Sequence, residues 1–246
     1  MAKQKSAGEC ADGACRVPLT FGETDKETYQ ASVPQKLSDV TWRVFRIMAE
    51  FVEGFEFLST SSREVSFFGS ARFQSGHPWY EEARRLAAML GRDGYTIVTG
   101  GGPGIMEAGN RGAYESGAES LGLNIQLPRE HRINPYVTRS RAFHYFFTRK
   151  VMLAAAAQAY VFFPGGFGTL DECLELITLV QTGKMQRLPI ILVGKDFWQP
   201  LLTWINTTLV DEYKTVSREE TSVYRLVDSA EEAYAIIRKA PDRSFF

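Results

Sequence analysis

The sequence is short of cysteine, of long apolar runs and of charge in excess of one sign. Three cysteines among 246 residues are too few for a disulfide scaffold, and Cys10 and Cys15 lack the spacing of a zinc-binding pair. No apolar run approaches the roughly 20 residues that a membrane span needs, and residues 1–20 contain no apolar signal core. We therefore expect a cytoplasmic protein without a membrane partner.

The balance of charge and the placement of histidine argue against two further kinds of site. The 28 Lys and Arg residues nearly balance the 29 Asp and Glu residues, so the net charge of -1 gives no support for a nucleic-acid partner. His77, His131 and His144 show neither metal-ligand spacing nor a Ser-His-Asp arrangement, and we predict no metal site. With 44% hydrophobic residues, the chain has an ordinary globular composition and suits one α/β core.

The beginning of the chain differs in pattern from the rest. Residues 1–35 are polar and without periodicity, which predicts a flexible tail, and residues 36–246 are predicted to form a single domain. From Ser38 onward, apolar residues recur at helical spacing and predict an amphipathic N-terminal helix that covers the core or a partner subunit. The residues on its apolar face are Val40, Val44, Ile47, Met48, Phe51 and Phe55.

Beyond this helix, short apolar strands alternate with helices. The predicted strands are Glu64–Phe68, Tyr95–Thr99, Ser120–Gln126, Ala159–Phe163, Pro189–Val193 and a short one near Val223–Val227. Arg129–Ser140 is predicted to be irregular. This alternation predicts an α/β fold in which a parallel sheet is covered by helices on both faces. A strand order of 3-2-1-4-5, numbered along the chain, would make the first and fourth strands neighbours.

Three of these strands end in glycine-containing loops, Phe68–Ser70, Thr99–Gly104 and Phe163–Gly168, which that order brings to one crevice. The second loop lacks the spacing of the dinucleotide fingerprint, and no Lys-Ser or Lys-Thr of a Walker loop follows it. Its Pro103 suits the first position of the next helix. We predict that the three loops together bind a phosphate group.

The third loop opens the stretch PGGFGTLDE, Pro164–Glu172, between a predicted strand and a predicted helix. Its three glycines let the backbone approach a ligand closely, and the first N–H groups of the helix attract an anion. Thr169 is placed to cap this helix. The spacing Thr169-x-x-Glu172 also fits a capping box, in which Glu172 only returns a hydrogen bond, so a structural role for Glu172 stays open.

Charged side chains are predicted near the same crevice. Arg149 and Lys150 precede an alanine-rich helix, and a guanidinium can clamp a phosphate or the edge of a base. Glu107 follows the triple glycine and either complements the helix dipole or contacts a ligand. A phosphate cradle, an arginine and the carboxylate of Glu172 permit cleavage of the N-glycosidic bond of a nucleotide, without selecting that reaction.

The motifs PGGFGTLDE, TGGGPGIMEAGNRGA and FFTRK together resemble the LOG (LONELY GUY) family, whose signature is PGGxGTxxE preceded by an Arg-Lys motif. The resemblance covers residues 60–215. It implies a Rossmann-like, doubly wound sheet and a phosphoribohydrolase that needs no cofactor. The reaction so implied hydrolyses a nucleoside 5'-monophosphate, such as a cytokinin riboside monophosphate or AMP, to free base and ribose 5-phosphate.

Position by position, the resemblance implies that Arg149 and Glu172 are the catalytic pair. The substrate-binding candidates, from the three loops and from the resemblance, are Lys150, Gly165, Gly166, Gly168, Thr169, Asp171, Thr178, Gly100, Gly101, Gly102, Ser70, Glu107 and Glu130. The resemblance also implies a homodimer or a larger homo-oligomer. Glu107 replaces a glycine of the short plant-like members, and the N-terminal helix is absent from them, so the chain looks like the longer bacterial branch.

The alternative function is a non-catalytic carrier of a phosphorylated ligand, similar to the molybdenum cofactor carriers that share this fold. A carrier needs the phosphate cradle but not the pair of Arg149 and Glu172, so the presence of both favours the hydrolase. A lysine decarboxylase, a label often attached to this family, would need a lysine that binds pyridoxal phosphate, and the sequence gives no support for one.

Overall fold

The computed structural model describes residues 37–126, 133–241 and 243. The chain divides into two units, 1–44 and 45–246, and the first is described only from the start of its helix at Leu37. The predicted tail, 1–35, and the candidate residue Glu130 lie outside the described residues.

Seven helices and seven strands alternate through most of the described chain. The helices are α1 Leu37–Leu58, α2 Pro78–Arg92, α3 Ile105–Glu115, α4 Phe146–Ala155, α5 Phe167–Gln181, α6 Lys195–Trp204 and α7 Ala230–Ile237. The strands are β1 Glu64–Phe68, β2 Thr96–Thr99, β3 Ser120–Ile125, β4 Arg139–Phe143, β5 Ala159–Phe162, β6 Ile190–Val193 and β7 Tyr224–Val227. A π-helical segment, Ile205–Glu212, continues α6, and a 3-10 turn, Glu220–Val223, leads into β7.

The strands form one parallel sheet in the order β4-β3-β2-β1-β5-β6-β7. In the middle of the sheet, Ser66 of β1 lies opposite Val98 of β2 on one side and Tyr160 of β5 on the other. The predicted parallel order of the inner strands is confirmed. Because β1 lies between β2 and β5, the loops that follow these three strands emerge side by side at one edge.

The apolar core lies on both faces of the sheet. Side chains alternate along β1 and β5, so Phe67 and Phe163 belong to one apolar layer, whereas Phe68 and Phe162 belong to the other. The rings of Phe68 and Phe162 stack with centroids 4.7 Å apart. Burial on both faces explains why these strands read as continuous apolar runs, and the doubly wound architecture is confirmed.

Two predictions of local structure are wrong. An edge strand that the sequence did not predict, β4 Arg139–Phe143, begins in the last two residues of the stretch Arg129–Ser140 predicted to be irregular, and its pairing with β3 offsets the low strand preference of its two arginines. Pro103 does not open α3, which begins at Ile105 after Gly104 at the cap. Gly104 has a φ of +72°, and a Cβ there would lie 2.3 Å from the carbonyl oxygen of Ser70, so the close approach of two loops sets where the helix begins.

The N-terminal helix is confirmed as a helix, but the face predicted to be covered is largely exposed. Four residues of that face are exposed, namely Val40, Val44, Met48 and Phe55. Phe51 packs against the core, and Glu50 and Gly54 are buried. A Cβ on Gly54 would lie 2.5 Å from Sδ of Met152 in α4, so close packing of α1 against α4 selects the buried face where apolar periodicity does not.

Candidate functional site

The three glycine-containing loops meet around Ser70. The N–H of Ser70 donates to the carbonyl oxygen of Pro164 (3.0 Å), and the N–H of Ile105 donates to the carbonyl oxygen of Ser70 (3.0 Å). The loop after β1 is therefore tied by backbone hydrogen bonds to the loop after β5 and to the start of α3. The predicted convergence of the three loops is confirmed.

A pocket of about 620 Å³ opens beside this junction. Its size is within the range of sites that hold small organic ligands. The predicted site residues that line it are Ser70, Gly100, Arg149, Lys150, Gly166, Gly168, Thr169, Asp171 and Glu172. Side chains not singled out from the sequence, Phe68, Arg72, Met106, Phe146 and Phe167, complete much of its wall.

The N-terminus of α5 faces this pocket without a side-chain cap. Gly166 is the N-cap residue, and the first backbone hydrogen bond of the helix runs from the N–H of Leu170 to the carbonyl oxygen of Gly166 (3.0 Å). The N–H groups of Phe167, Gly168 and Thr169 consequently have no acceptor within the helix. A Cβ on Gly166 or on Gly168 would meet no atom within 4 Å. This space and the exposed N–H groups suit an anion.

The prediction that Thr169 caps α5 is wrong. Thr169 is buried in the first turn of the helix, and a Cβ on Gly165 would lie 2.1 Å from its hydroxyl oxygen. Because the cap is Gly166, Thr169 and Glu172 do not form the capping box that the sequence also permitted. Glu172 lines the pocket instead.

Arg149 is fixed by contacts on two sides. Its Nε donates to the carbonyl oxygen of Leu123 (2.9 Å), and a Cβ on Gly100 would lie 2.6 Å from its Nη2. Burial lowers the pKa of Arg149, and the nearby charge of Glu172 opposes that shift. The guanidinium therefore projects into the pocket as a fixed cation with part of its hydration removed.

Glu172 is the carboxylate whose environment is most unusual in this pocket. Burial raises its pKa to about 7, against the opposing charges of Lys150 and Arg149 and with a further upward contribution from Glu175. Lys150 donates to Asp171 (2.7 Å) and lies 3.2 Å from Glu175. Burial acts to lower the pKa of Lys150, but the hydrogen bonds to these two carboxylates outweigh it and the pKa is raised. Glu172 thus titrates near neutral pH beside two cations.

Buried asparagines hold the loop after β2, and sequence analysis missed them. The side-chain amide of Asn134 donates to the carbonyl oxygens of Gly101 (3.1 Å) and Gly102 (3.0 Å) and to Oδ1 of Asn110 (2.9 Å). The amide of Asn110 in turn donates to Oγ of Ser120 (2.8 Å). The only signal was the presence of Asn110 within the motif around the triple glycine, because asparagine is rarely buried without partners.

The remaining candidates among the described residues do not line this pocket. The carbonyl oxygens of Gly101 and Gly102 accept hydrogen bonds from Asn134 as described, and Gly165 lines a second pocket, with Trp79 and Phe197. Glu107 accepts a hydrogen bond from the hydroxyl of Tyr80 on α2 (2.8 Å), and Thr178 is exposed on α5 and donates to the carbonyl oxygen of Leu174 (2.8 Å). Burial and the bond to Glu107 raise the pKa of Tyr80 to about 12.

The described part of the chain offers neither a metal-binding cluster nor a membrane-spanning helix. In residues 37–126, 133–241 and 243, no three or more His, Cys, Asp and Glu side chains cluster in a way that could hold a metal ion. Each helix in those ranges is too short or too polar to cross a bilayer.

Known proteins are similar to this chain in sequence, and solved structures are similar to it in fold. A family model described as "Possible lysine decarboxylase" matches residues 106–237. The rice protein named cytokinin riboside 5'-monophosphate phosphoribohydrolase LOG is 31% identical over 151 residues, which are 60% of this chain and 61% of that protein. A second rice protein, named probable cytokinin riboside 5'-monophosphate phosphoribohydrolase, is 30% identical over 74% of this chain and 84% of its own length.

Among solved structures, the molybdenum cofactor binding protein of Rippkaea orientalis aligns with a TM-score of 0.54 at 17% identity. The alignment covers 72% of this chain and 96% of that one, and at this identity it shows the fold alone. The family model shows more than the fold, because its match of residues 106–237 includes the pocket residues from Met106 to Glu172. The chain belongs to the LOG family, whose family model carries the lysine decarboxylase description.

Proposed function

We propose that this protein hydrolyses the N-glycosidic bond of purine nucleoside 5'-monophosphates and releases free base and ribose 5-phosphate. The observation that carries the proposal is the position of Glu172 in one pocket with Arg149 and the uncapped N-terminus of α5. The names of the rice relatives support the same reaction class. The chain spans 61% of the length of the first of them, and substrate identity is therefore part of the proposal.

The phosphate of the substrate is assigned to the start of α5. Three N–H groups without helical acceptors and the positive end of the helix dipole favour an anion there. Gly166 and Gly168 leave room for it, since a Cβ at either position would meet nothing within 4 Å. No acidic residue lies in the first turn of α5 to compete with the phosphate.

Glu172 is assigned to the sugar. As the bond between C1' and the base nitrogen breaks, its electron pair leaves with the base and positive charge develops on the ribose. An ionised carboxylate stabilises that charge and orients the water whose oxygen bonds to C1'. One proton of the water ends on the base, so the atoms balance as free base and ribose 5-phosphate. A pKa of about 7 lets Glu172 accept and return a proton near neutral pH.

Arg149 is assigned to holding the substrate in line with Glu172. Its Nε is engaged by Leu123, which leaves its two terminal nitrogens to face the pocket beside Gly100. A guanidinium fixed in this way offers parallel donors to a phosphate oxygen or to the edge of a base. Lys150 is already paired with Asp171 and Glu175, and its assigned part is to hold those carboxylates.

We also propose that the protein forms a homo-oligomer and that it is located in a reducing cytoplasm. Apolar side chains are exposed on α1 and on two helices that line the pocket, namely Met48 and Val52 on α1, Phe146 on α4 and Phe167, which is 92% exposed, on α5. Surfaces of this kind are typical of contacts between subunits. Cys173 is buried as a free thiol. Light scattering on the purified chain measures the number of subunits.

The test uses chromatography to measure the release of free base from AMP and from isopentenyladenosine monophosphate. Glu172→Ala and Arg149→Ala are each expected to lower kcat/KM by about 100-fold or more, because each removes a group that acts on the transition state. Glu231→Gln, at an exposed position of α7, is the matched control and is expected to retain full activity. If wild type binds a nucleotide tightly but cleaves neither substrate, the carrier alternative replaces the hydrolase.

A further inference from the structure

Glu50 is a buried carboxylate that the proposed reaction does not use. It lies on α1, is 7% exposed and does not line the pocket. Its Oε1 accepts a hydrogen bond from the N–H of His144 (2.6 Å). Its Oε2 accepts from the hydroxyl of Thr148 (2.5 Å) and from the N–H of Tyr145 (3.4 Å). All three donors belong to the segment in which α4 begins.

The start of α4 has no cap of its own. Tyr145 is the N-cap residue and its side chain makes no capping hydrogen bond, and the first turn contains no acidic residue. Helices normally satisfy their first N–H groups with a side-chain oxygen near the cap and gain from a negative charge at that end. Glu50 brings a carboxylate to this end from a different helix, and it accepts from the N–H groups of the cap residue Tyr145 and of His144 just before it.

The same helix carries the cations of the pocket. Thr148, which is fully buried and contacts Glu50, is followed directly by Arg149 and Lys150. One turn further along both helices, Gly54 of α1 allows Met152 of α4 to approach closely. Glu50 and Gly54 therefore fix α4 against α1 at two successive turns, on a face of α4 that adjoins the one carrying Arg149.

We propose that Glu50 is a positioning residue, which caps α4 from α1 and thereby sets where Arg149 presents its guanidinium. This inference rests on the proposed function of Arg149. When Glu50 is removed, the N–H groups of His144 and Tyr145 lose this acceptor, and the Thr148 hydroxyl keeps only the carbonyl oxygen of Tyr145 (2.8 Å). Buried N–H groups are costly to leave unsatisfied. The first turn of α4 then opens more often. The hydrogen bond from Arg149 to the carbonyl oxygen of Leu123 is not sufficient by itself to hold the guanidinium in place.

The experiment compares Glu50→Ala and Glu50→Gln with the matched control Glu56→Gln, at an exposed position on the same helix. Amide hydrogen exchange reports the cap directly, and separate kcat and KM values for AMP report its effect on Arg149. Glu50→Ala is expected to speed exchange in residues 144–150 by tenfold or more and to lower kcat by about tenfold. KM is expected to change less than threefold. Glu50→Gln, which keeps one carbonyl oxygen, should fall between wild type and Glu50→Ala.

A general loss of structure has a different signature, since exchange would then rise throughout the sheet and kcat per folded molecule would stay constant. That result, or full kcat in a folded Glu50→Ala, overturns the proposal. If Glu50→Ala does not fold, the same two outcomes are read from Glu50→Gln. If wild type cleaves no nucleotide, the proposed function fails by itself. In that case, two measurements on the Glu50 variants decide whether Glu50 positions the helix. These are amide hydrogen exchange at residues 144–150 and the part of the affinity for AMP that is lost when Arg149 is replaced.

Discussion

Two glycine-rich loops border the pocket, and they resemble each other in sequence far more than in structure. In Gly100–Gly104, added Cβ atoms would collide with Arg149 at position 100, with Asn124 at position 101 and with backbone at position 104. In Gly165–Gly168, an added Cβ meets nothing at positions 166 and 168. The first loop is closed against its own protein, whereas the second is open. Packing accounts for the glycines at positions 100, 101, 104 and 165, whereas Gly166 and Gly168 meet no protein atom and are explained only by the proposed phosphate.

The largest effect is expected from Gly104→Ala in the closed loop. The φ of +72° is strained for alanine, and the new methyl would lie 2.3 Å from the Ser70 carbonyl oxygen and 2.7 Å from Cα of Ala71. Backbone cannot move aside as a flexible side chain does, so the free energy of unfolding should drop by about 3 kcal/mol or more. Urea denaturation measures this loss. A variant as stable as wild type would show that the loop is looser than the geometry indicates.

Gly100→Ala should separate activity from stability within the same closed loop. Its φ is ordinary, and the atoms that it meets are Nη2 of Arg149 and Sδ of Met106, both at the ends of flexible side chains. We expect the protein to fold and the guanidinium to be displaced, with kcat/KM for AMP lowered by about 100-fold, as is usual for a misplaced group. Activity near that of wild type would contradict the fixed position of Arg149.

Glu172→Gln should raise stability in a way that depends on pH. The folded-state pKa of Glu172 is about 7 and its ordinary value is 4.5, so ionisation costs the folded protein stability as pH rises from 4.5 through 7. The neutral amide removes that cost, and it should stabilise the protein at pH 8 by about 2 kcal/mol, after allowance for partial exposure to solvent. At pH 4 the gain should vanish. Equal thermal shifts at both pH values would contradict the burial of this carboxyl.

Gly168→Ala probes the open loop and should have the smallest effect. The methyl group enters empty space at the second position of α5, and the free energy of unfolding should change by less than about 1 kcal/mol. The same space is assigned to phosphate, so the affinity for ribose 5-phosphate should fall by about tenfold, as for a weakened hydrogen bond to a charged group. Calorimetric titration measures it. Unchanged affinity together with unchanged stability would place the phosphate elsewhere.

The inner sheet was predictable because its strands are buried on both faces. Phe67 and Phe68 lie in the two apolar layers on opposite faces of the sheet, so both must be apolar. The result is a continuous apolar run in the sequence, which is typical of a strand in a parallel sheet. The strand order 3-2-1-4-5 belongs to this fold class, and the meeting of the glycine loops, seen in the bond between Ser70 and Pro164, followed from that order. Arg149 and Glu172 were found because they belong to motifs that are contiguous in sequence.

What sequence analysis missed depends on contacts between distant residues. One miss is local: Thr169 has the spacing of a cap, but Gly166 is the N-cap residue, so Thr169 lies inside the helix. Glu50 and Asn134 are polar residues in unremarkable surroundings in sequence, and their roles come from partners 94 and 33 positions away. The assigned roles of Arg149, Glu172 and the phosphate-binding glycines stay predictions until the variants are measured.

Both outer strands of the sheet carry arginine, Arg139 and Arg141 on β4 and Arg225 on β7. Arg139 forms an ion pair with Glu119, and Arg141 forms one with Glu53. These ion pairs keep both guanidinium groups at the edge of the sheet. An unprotected edge strand is a template on which another chain can add its own strand and begin to aggregate. The arginines that made β4 difficult to predict from the sequence are thus also expected to prevent an eighth strand from pairing with the edge of the sheet.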